Sequence, residues 1–207
     1  MLQISSLKHS FENTELSYPD WHVDKGEHAA ILGNSGSGKT TLLHLIGGLM
    51  QPERGSVKIN GQEMAELKGS KLDRFRGANI GIVFQKPHLV RSLTVRENIS
   101  LAQTLSKASG NKRDIDDLLE SLDIAALRDR KVYQISQGQA QRVSIARALV
   151  NAPKLLLADE PTASLDDENC SRVIQLFKSQ AKEKQASLIV ATHDQRVKSE
   201  FQNQLSL

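Results

Sequence analysis

A single cysteine, Cys170, stands among 207 residues, so no internal disulfide can form and nothing points to an oxidising compartment. The six histidines, His9, His22, His28, His44, His88 and His193, have neither the pairing nor the cysteine neighbours of a zinc site, which argues against a structural metal. No apolar run approaches the ~18–20 residues that cross a bilayer. Met1-Leu2-Gln3-Ile4 opens like a strand, without the charged and apolar regions of a signal peptide. The chain therefore reads as soluble and cytosolic. Charge of one sign is also scarce: 27 basic against 24 acidic residues leave +3, too even to make nucleic acid a partner. The length suits one compact unit with a sizeable core.

What is present begins at Ile31. There an apolar strand gives way to a glycine-rich turn and then to an amphipathic helix, ILGNSGSGKTTLLHL. Gly33, Gly38, Lys39 and Thr40 fit the phosphate-loop pattern G-x-x-x-x-G-K-[ST], and Asn34, Ser35, Gly36 and Ser37 between them are small enough for the backbone to curl round an anion. The amides of residues 34 to 40, Thr40 included, converge on a phosphate in such a turn, with the positive end of the helix dipole behind them. Lys39 supplies a mobile charge for the β- and γ-phosphates, and the Thr40 hydroxyl a ligand for Mg²⁺. Thr41 follows on the same helix turn. A dinucleotide fold is excluded, because G-x-G-x-x-G in the register of Gly36 and Gly38 needs glycine where Thr41 stands.

On either side of the loop the pattern is that of an α/β protein. Residues 2 to 32 alternate in short runs, broken at Glu12-Asn13 and Pro19-Asp20, which predicts a small antiparallel sheet; Val57 and Ile59 before the hairpin signal Asn60-Gly61 complete it. Leu42, Leu43, Leu45, Ile46 and Leu49 give the helix after the loop a broad apolar face, with Gly47-Gly48 as its stop. IGIVFQ, from Ile80 to Gln85, reads as a buried strand. Helices follow: Thr94 caps VRENISLAQTL, a break falls at 109–111, and Ile115, Leu118, Leu119, Leu122 and Ile124 recur at helical spacing. Ser136 N-caps a helix that runs to Asn151-Ala152-Pro153. The apolar run Leu155 to Ala158 predicts a strand buried on both faces of a parallel sheet. A helix from Glu168 to Lys184, the strand Ser187 to Ala191 and at most one short strand at the end complete the chain. No regulatory domain is expected beyond it.

LLLADEPT carries the second piece of chemistry. An apolar strand there delivers two adjacent acids to the sheet edge where ligands gather in open α/β folds. Asp159 is placed to hold Mg²⁺ or its water shell, and Glu160 to take a proton from an attacking water, help worth about 10² to 10⁴ in rate.

With these motifs in order along nearly the whole chain, the sequence resembles the ATP-binding subunits of ABC transporters. GNSGSGKT (33–40) is similar to the Walker A loop, Gln85 to the Q-loop glutamine, ISQGQ (135–139) to the signature motif, LLLADE (155–160) to Walker B, ASLD (163–166) to the D-loop, and His193 to the switch histidine. The resemblance implies a P-loop NTPase core with a central, mainly parallel sheet, a small N-terminal antiparallel β subdomain and an inserted helical subdomain. The core would take about 1–85 and 144–207, and the helical part about 86–143. It implies ATP and Mg²⁺ as ligands, with Thr40, Asp159 and Gln85 serving the metal and His193 sensing the γ-phosphate.

A head-to-tail dimer with an identical copy is also implied, in which Ser136, Gly138 and Gln139 face the ATP of the other subunit. Integral membrane permease subunits would hold the dimer on the inner face of the cell membrane. Related subunits receive a permease helix near Lys86 to Glu97, making Leu89, Val90 and Leu93 interface candidates. For adenine stacking Phe11 is the best positional match, ahead of Tyr18 and Trp21. GGLMQPERGSVKINGQ and FQKPHLVRSLTVRENI most resemble the lipoprotein-release, macrolide-export and cell-division group.

The usual signature L-S-G-G-Q is altered, with Ile135 for its leucine and Gln137 for its first glycine. A left-handed Gln137 would cost roughly 1 kcal/mol or more, whereas a cap residue in the β region carries no strain. The alternative to a transport motor is a regulatory or scaffolding subunit that binds ATP with little turnover. Neither tandem cassettes nor a long coiled coil, the marks of ribosomal and DNA-repair relatives, is present.

Overall fold

Two sheets share the chain between them, and the pleat of the inner one decides what packs on each side. The computed structural model describes residues 1–11, 14–106, 114–162, 167–183 and 185–207. The turn expected at Glu12-Asn13, the break at 109–111, the segment ASLD and Lys184 lie outside them.

The chain starts with β1 (Leu2–Phe11), β2 (Thr14–Ser17) and β3 (Trp21–Val23). It crosses to the inner sheet as β4 (His28–Leu32), passes through α1 (Lys39–Ile46) and returns as β5 (Arg54–Ile59) and β6 (Gln62–Glu63). β1 is the axis of this outer sheet, antiparallel to β2, β3 and β5. Asn60 and Gly61 take φ of 52° and 80°, the two left-handed positions of a tight hairpin, so Ile59 pairs with Gln62 as the Asn-Gly signal predicts.

The rest runs α2 (Ser70–Asn79), β7 (Ile80–Val83), α3 (Val95–Ser106), α4 (Ile115–Ser121), α5 (Gln137–Leu149), β8 (Leu155–Asp159), α6 (Asp167–Glu183), β9 (Ser187–Thr192), α7 (Gln195–Lys198) and β10 (Asn203–Ser206). The inner sheet has the order β10-β4-β9-β8-β7, every pair parallel. Its inner strands β4, β9 and β8 are apolar on both faces, and alternate residues join different cores. Ala29, Ile31, Leu155, Leu157, Ile189 and Ala191 meet α1 and the outer sheet. Ala30, Leu156, Ala158, Leu188 and Val190 meet the helices on the other side, around the fully buried Phe177. Each buried aliphatic side chain contributes about 1.5–3 kcal/mol, which is why the run Leu155 to Ala158 has no polar face. This α/β architecture, with an inner parallel and an outer antiparallel sheet plus helices, is the one expected from the sequence.

Three local expectations change. No element is expected from the sequence over 64–79, yet α2 lies there; it buries no residue fully, and its apolar period is short, with only Leu72 and Phe75 packed against the core. Tertiary contact holds it: a Cβ on Gly77 would come within 2.9 Å of the Ser106 side chain in α3, so the helices approach closely. Leu49 is not on the apolar face of α1, because the helix stops at Ile46 and Leu49 is 39% exposed. The strand expected to reach Gln85 ends at Val83. Among the described residues no helix is long and apolar enough to cross a membrane.

Candidate active site

The glycine loop hangs between the end of β4 and the start of α1, and two glycines shape it. Gly36 and Gly38 take φ of 82° and 96°, positions an L side chain rarely adopts. Gly38 is also the N-cap of α1 and gives it no side-chain cap, so the first amides of that helix are left for an anion. Below the loop, the Tyr18 hydroxyl donates to the Gly38 carbonyl at 3.1 Å. Burial pushes the phenol up to about 12, so it remains a donor across physiological pH. Lys39 is buried and donates to the carbonyls of Gly33 and Asn34 at 2.9 and 3.0 Å.

The acids arrive on β8. The Thr40 hydroxyl donates to Asp159 Oδ2 at 2.9 Å, while Oδ1 of the same carboxylate is buried with no partner. Burial, reinforced by the neighbouring Glu160, raises the Asp159 pKa above the ordinary carboxylate range, against the opposing pull of the Thr40 bond. An orphaned carboxylate oxygen beside a hydroxyl is an all-oxygen donor set that suits Mg²⁺. Glu160 turns sharply at φ 45° with its N–H donating to the Ala191 carbonyl at 2.8 Å. That left-handed backbone costs about 1 kcal/mol in a non-glycine residue. It swings the carboxylate back over β9, where Thr192 Oγ1 donates to Oε2 at 3.1 Å and His193 Nδ1 lies 2.8 Å from Oε1. Since a carboxylate only accepts, Nδ1 carries the proton in that contact and Nε2 is the ring's remaining polar atom. Lys39 Nζ stands 3.5 Å from the same Oε1.

Of these groups, Lys39, Thr40, Glu160 and His193 line one cleft of about 440 Å³. Ser35, Gly36, Gly38, Lys39, Thr40 and Thr41 of the loop and helix line it together with Gln85, Glu160, His193 and Phe11. Gly33, Asn34 and Ser37 belong to the same loop but do not line the cleft, and Asp159 is only 7% exposed. Phe11 is 45% exposed, with its ring edge-on to His9 at 4.8 Å. The other two aromatics are engaged elsewhere. Tyr18 is buried under the loop, and Trp21 Nε1 donates to Asn203 at 2.8 Å.

The signature residues are not on this cleft. Ser136 is the N-cap of α5, accepting from the Gln139 amide at 3.3 Å while the Gln139 side chain accepts from the Ser136 amide at 2.9 Å. Ser136, Gly138 and Gln139 open on a separate hollow of about 390 Å³ beside Arg142 and Leu176. Gln137 is the first helical residue and keeps a negative φ, so replacing the usual glycine introduces no strain.

Sequence reasoning missed two members. Thr192 reads only as a residue closing the strand Ser187 to Ala191, and Tyr18 as a second choice for stacking; both acquire roles from tertiary contacts that no spacing rule encodes.

Residues 16–163 match the family model described as ABC transporter. The ABC transporter ATP-binding protein YvcR of Bacillus subtilis (strain 168) is 40% identical over 191 residues, covering 91% of this chain and 74% of that protein. The lipoprotein-releasing system ATP-binding protein LolD of Idiomarina loihiensis is 36% identical over 209 residues, 98% of this chain and 92% of its own length. A solved dimer of the ATP-binding cassette MJ0796, in a post-hydrolysis state bound to ADP and Pi, shares the fold with a TM-score of 0.87 at 30% identity, over 100% of this chain and 94% of that one. On this footing the chain belongs to the ATP-binding proteins of the ABC transporter family.

Proposed function

We propose that this chain hydrolyses ATP as one half of a closing dimer and drives substrate movement through separate membrane subunits. One observation carries the reading. Lys39, Gln85, Glu160 and His193 line one cleft, while Ser136, Gly138 and Gln139 lie on another surface of the same chain. A second copy is needed to bring a signature helix to each cleft.

The loop amides and Lys39 bind the phosphates, and the Lys39 contacts to its own loop give way to them. Phe11 stacks on the adenine. Glu160 accepts the proton of the attacking water, and His193, tied to Glu160 through Nδ1, positions the γ-phosphate side of the cleft. Thr40, Asp159 and Gln85 would hold Mg²⁺, which neutralises phosphate charge when bound. A groove of about 620 Å³ between α2, β7, α3 and α5, lined by Arg76, Phe84, His88, Leu105 and Arg147, begins next to Gln85. It is our candidate seat for the permease. Of the interface candidates in the sequence, Val90 is exposed, while Leu89 packs against the core and Leu93 is half-buried. The likeness to the lipoprotein-releasing system protein LolD supports placing the chain with lipoprotein-release-like systems of the cell envelope.

Glu160→Gln tests the reading. Phosphate release falls by about 10² or more, and size-exclusion chromatography in ATP shows an accumulated dimer. Hydrolysis at the native rate, or a monomer in saturating ATP, would overturn it.

A further inference from the structure

β9 lies between the strand that launches the glycine loop and the strand that delivers the acids. Its last residue, Thr192, pairs with Leu32 and is fully buried. Packing alone at such a position is met by valine, and a buried hydroxyl must find partners or cost free energy. Two hydrogen bonds meet there. The Asp194 N–H donates to Thr192 Oγ1 at 3.0 Å; the hydroxyl has one proton of its own, and the carboxylate at 3.1 Å can only accept it. The direction of the Thr192–Glu160 bond is therefore fixed from behind. Oε2 also lies 3.4 Å from the His193 amide, and Oε1 faces the His193 ring. Glu160 depends on such contacts because its own left-handed backbone does not favour this conformation.

We propose that Thr192 is a positioning residue for Glu160: its hydroxyl pins Oε2 and sets the plane of the carboxylate, so that Oε1 is presented to His193 and the reacting water. The inference rests on the reading of Glu160 as the base. Thr192 lines no part of the nucleotide cleft, so it acts on turnover and not on ATP binding.

The test compares Thr192→Val, which keeps the shape, with Thr192→Ser, which keeps the hydroxyl. Single-turnover phosphate release is followed with the chain in excess over ATP, and steady-state release gives kcat and KM. Thr192→Val lowers kcat by about 10-fold or more, as misplacement of a reacting group does, with KM changed by less than about two-fold. Thr192→Ser restores native turnover, and in a Glu160→Gln background Thr192→Val has no further effect. If the valine variant does not fold, Thr192→Ala takes its place against the same serine control.

Native kcat in the valine variant, equal losses in valine and serine variants, or KM rising in step with the loss overturns the positioning role. Undiminished turnover in Glu160→Gln alone overturns the base assignment instead, so the two failures are distinguishable.

Discussion

The Thr40 hydroxyl donates to Asp159 Oδ2 at 2.9 Å and leaves the buried Oδ1 of that carboxylate without a partner. Ionisation of a group kept this way costs stability, as its raised pKa also indicates. Asp159→Asn removes the charge and is expected to raise Tm in nucleotide-free buffer while weakening the Mg²⁺-dependent part of ATP binding. Scanning calorimetry and titration calorimetry with and without Mg²⁺ read the two effects; a lower Tm in the empty variant contradicts the account.

Phe11 reaches the cleft with its ring 45% exposed, so it contributes little to the core. Phe11→Ala is expected to cost about 1–3 kcal/mol of ATP affinity with Tm unchanged. Equal affinities in native and variant protein would show that the ring does not stack on the base.

Gln137 begins α5 in helical conformation. Gln137→Gly therefore leaves turnover within a few-fold and lowers stability by about 0.5–1 kcal/mol through helix propensity. A large gain in turnover would mean that the glutamine weakens the site.

Asp194 accepts from the Arg196 guanidinium, from the Arg196 amide and from Thr162. Arg196 foremost holds its pKa at about 2, below the ordinary 3.8. A depressed acid stabilises the fold above its unfolded pKa, and the contribution is lost as pH falls through the folded value. The Tm gap between native and Asp194→Asn protein is thus constant from neutrality to about pH 5 and closes as pH falls from about 4 towards 2. A gap independent of pH refutes the charged tie.

Chemistry-bearing residues on one continuous stretch are legible without coordinates. The glycine loop is one, since its phosphate-binding geometry is local backbone conformation, and LLLADE is another, since a strand buried on both faces has to be apolar throughout. Ser136 as the cap of α5 and Asn60-Gly61 as a hairpin are of the same kind. α2 was not legible, because its apolar contact is confined to the half-buried Leu72 and Phe75 and its close approach to α3, Gly77 against Ser106, depends on a distant segment. Nor was Thr192, whose partner is 32 residues away.

The sequence by itself determined the family, the alternating α/β order and which acids and which lysine belong to the proposed site, because each rests on spacing along the chain. Tertiary structure decided how they meet. Parallel pairing of β4, β9 and β8 brings the loop, Glu160 and Thr192-His193 to one sheet edge, and the path of α5 carries Ser136 and Gly138 to a different surface. Strand order and helix direction are set by burial of apolar faces against distant partners, and that burial is what leaves each chain with half of the proposed catalytic site.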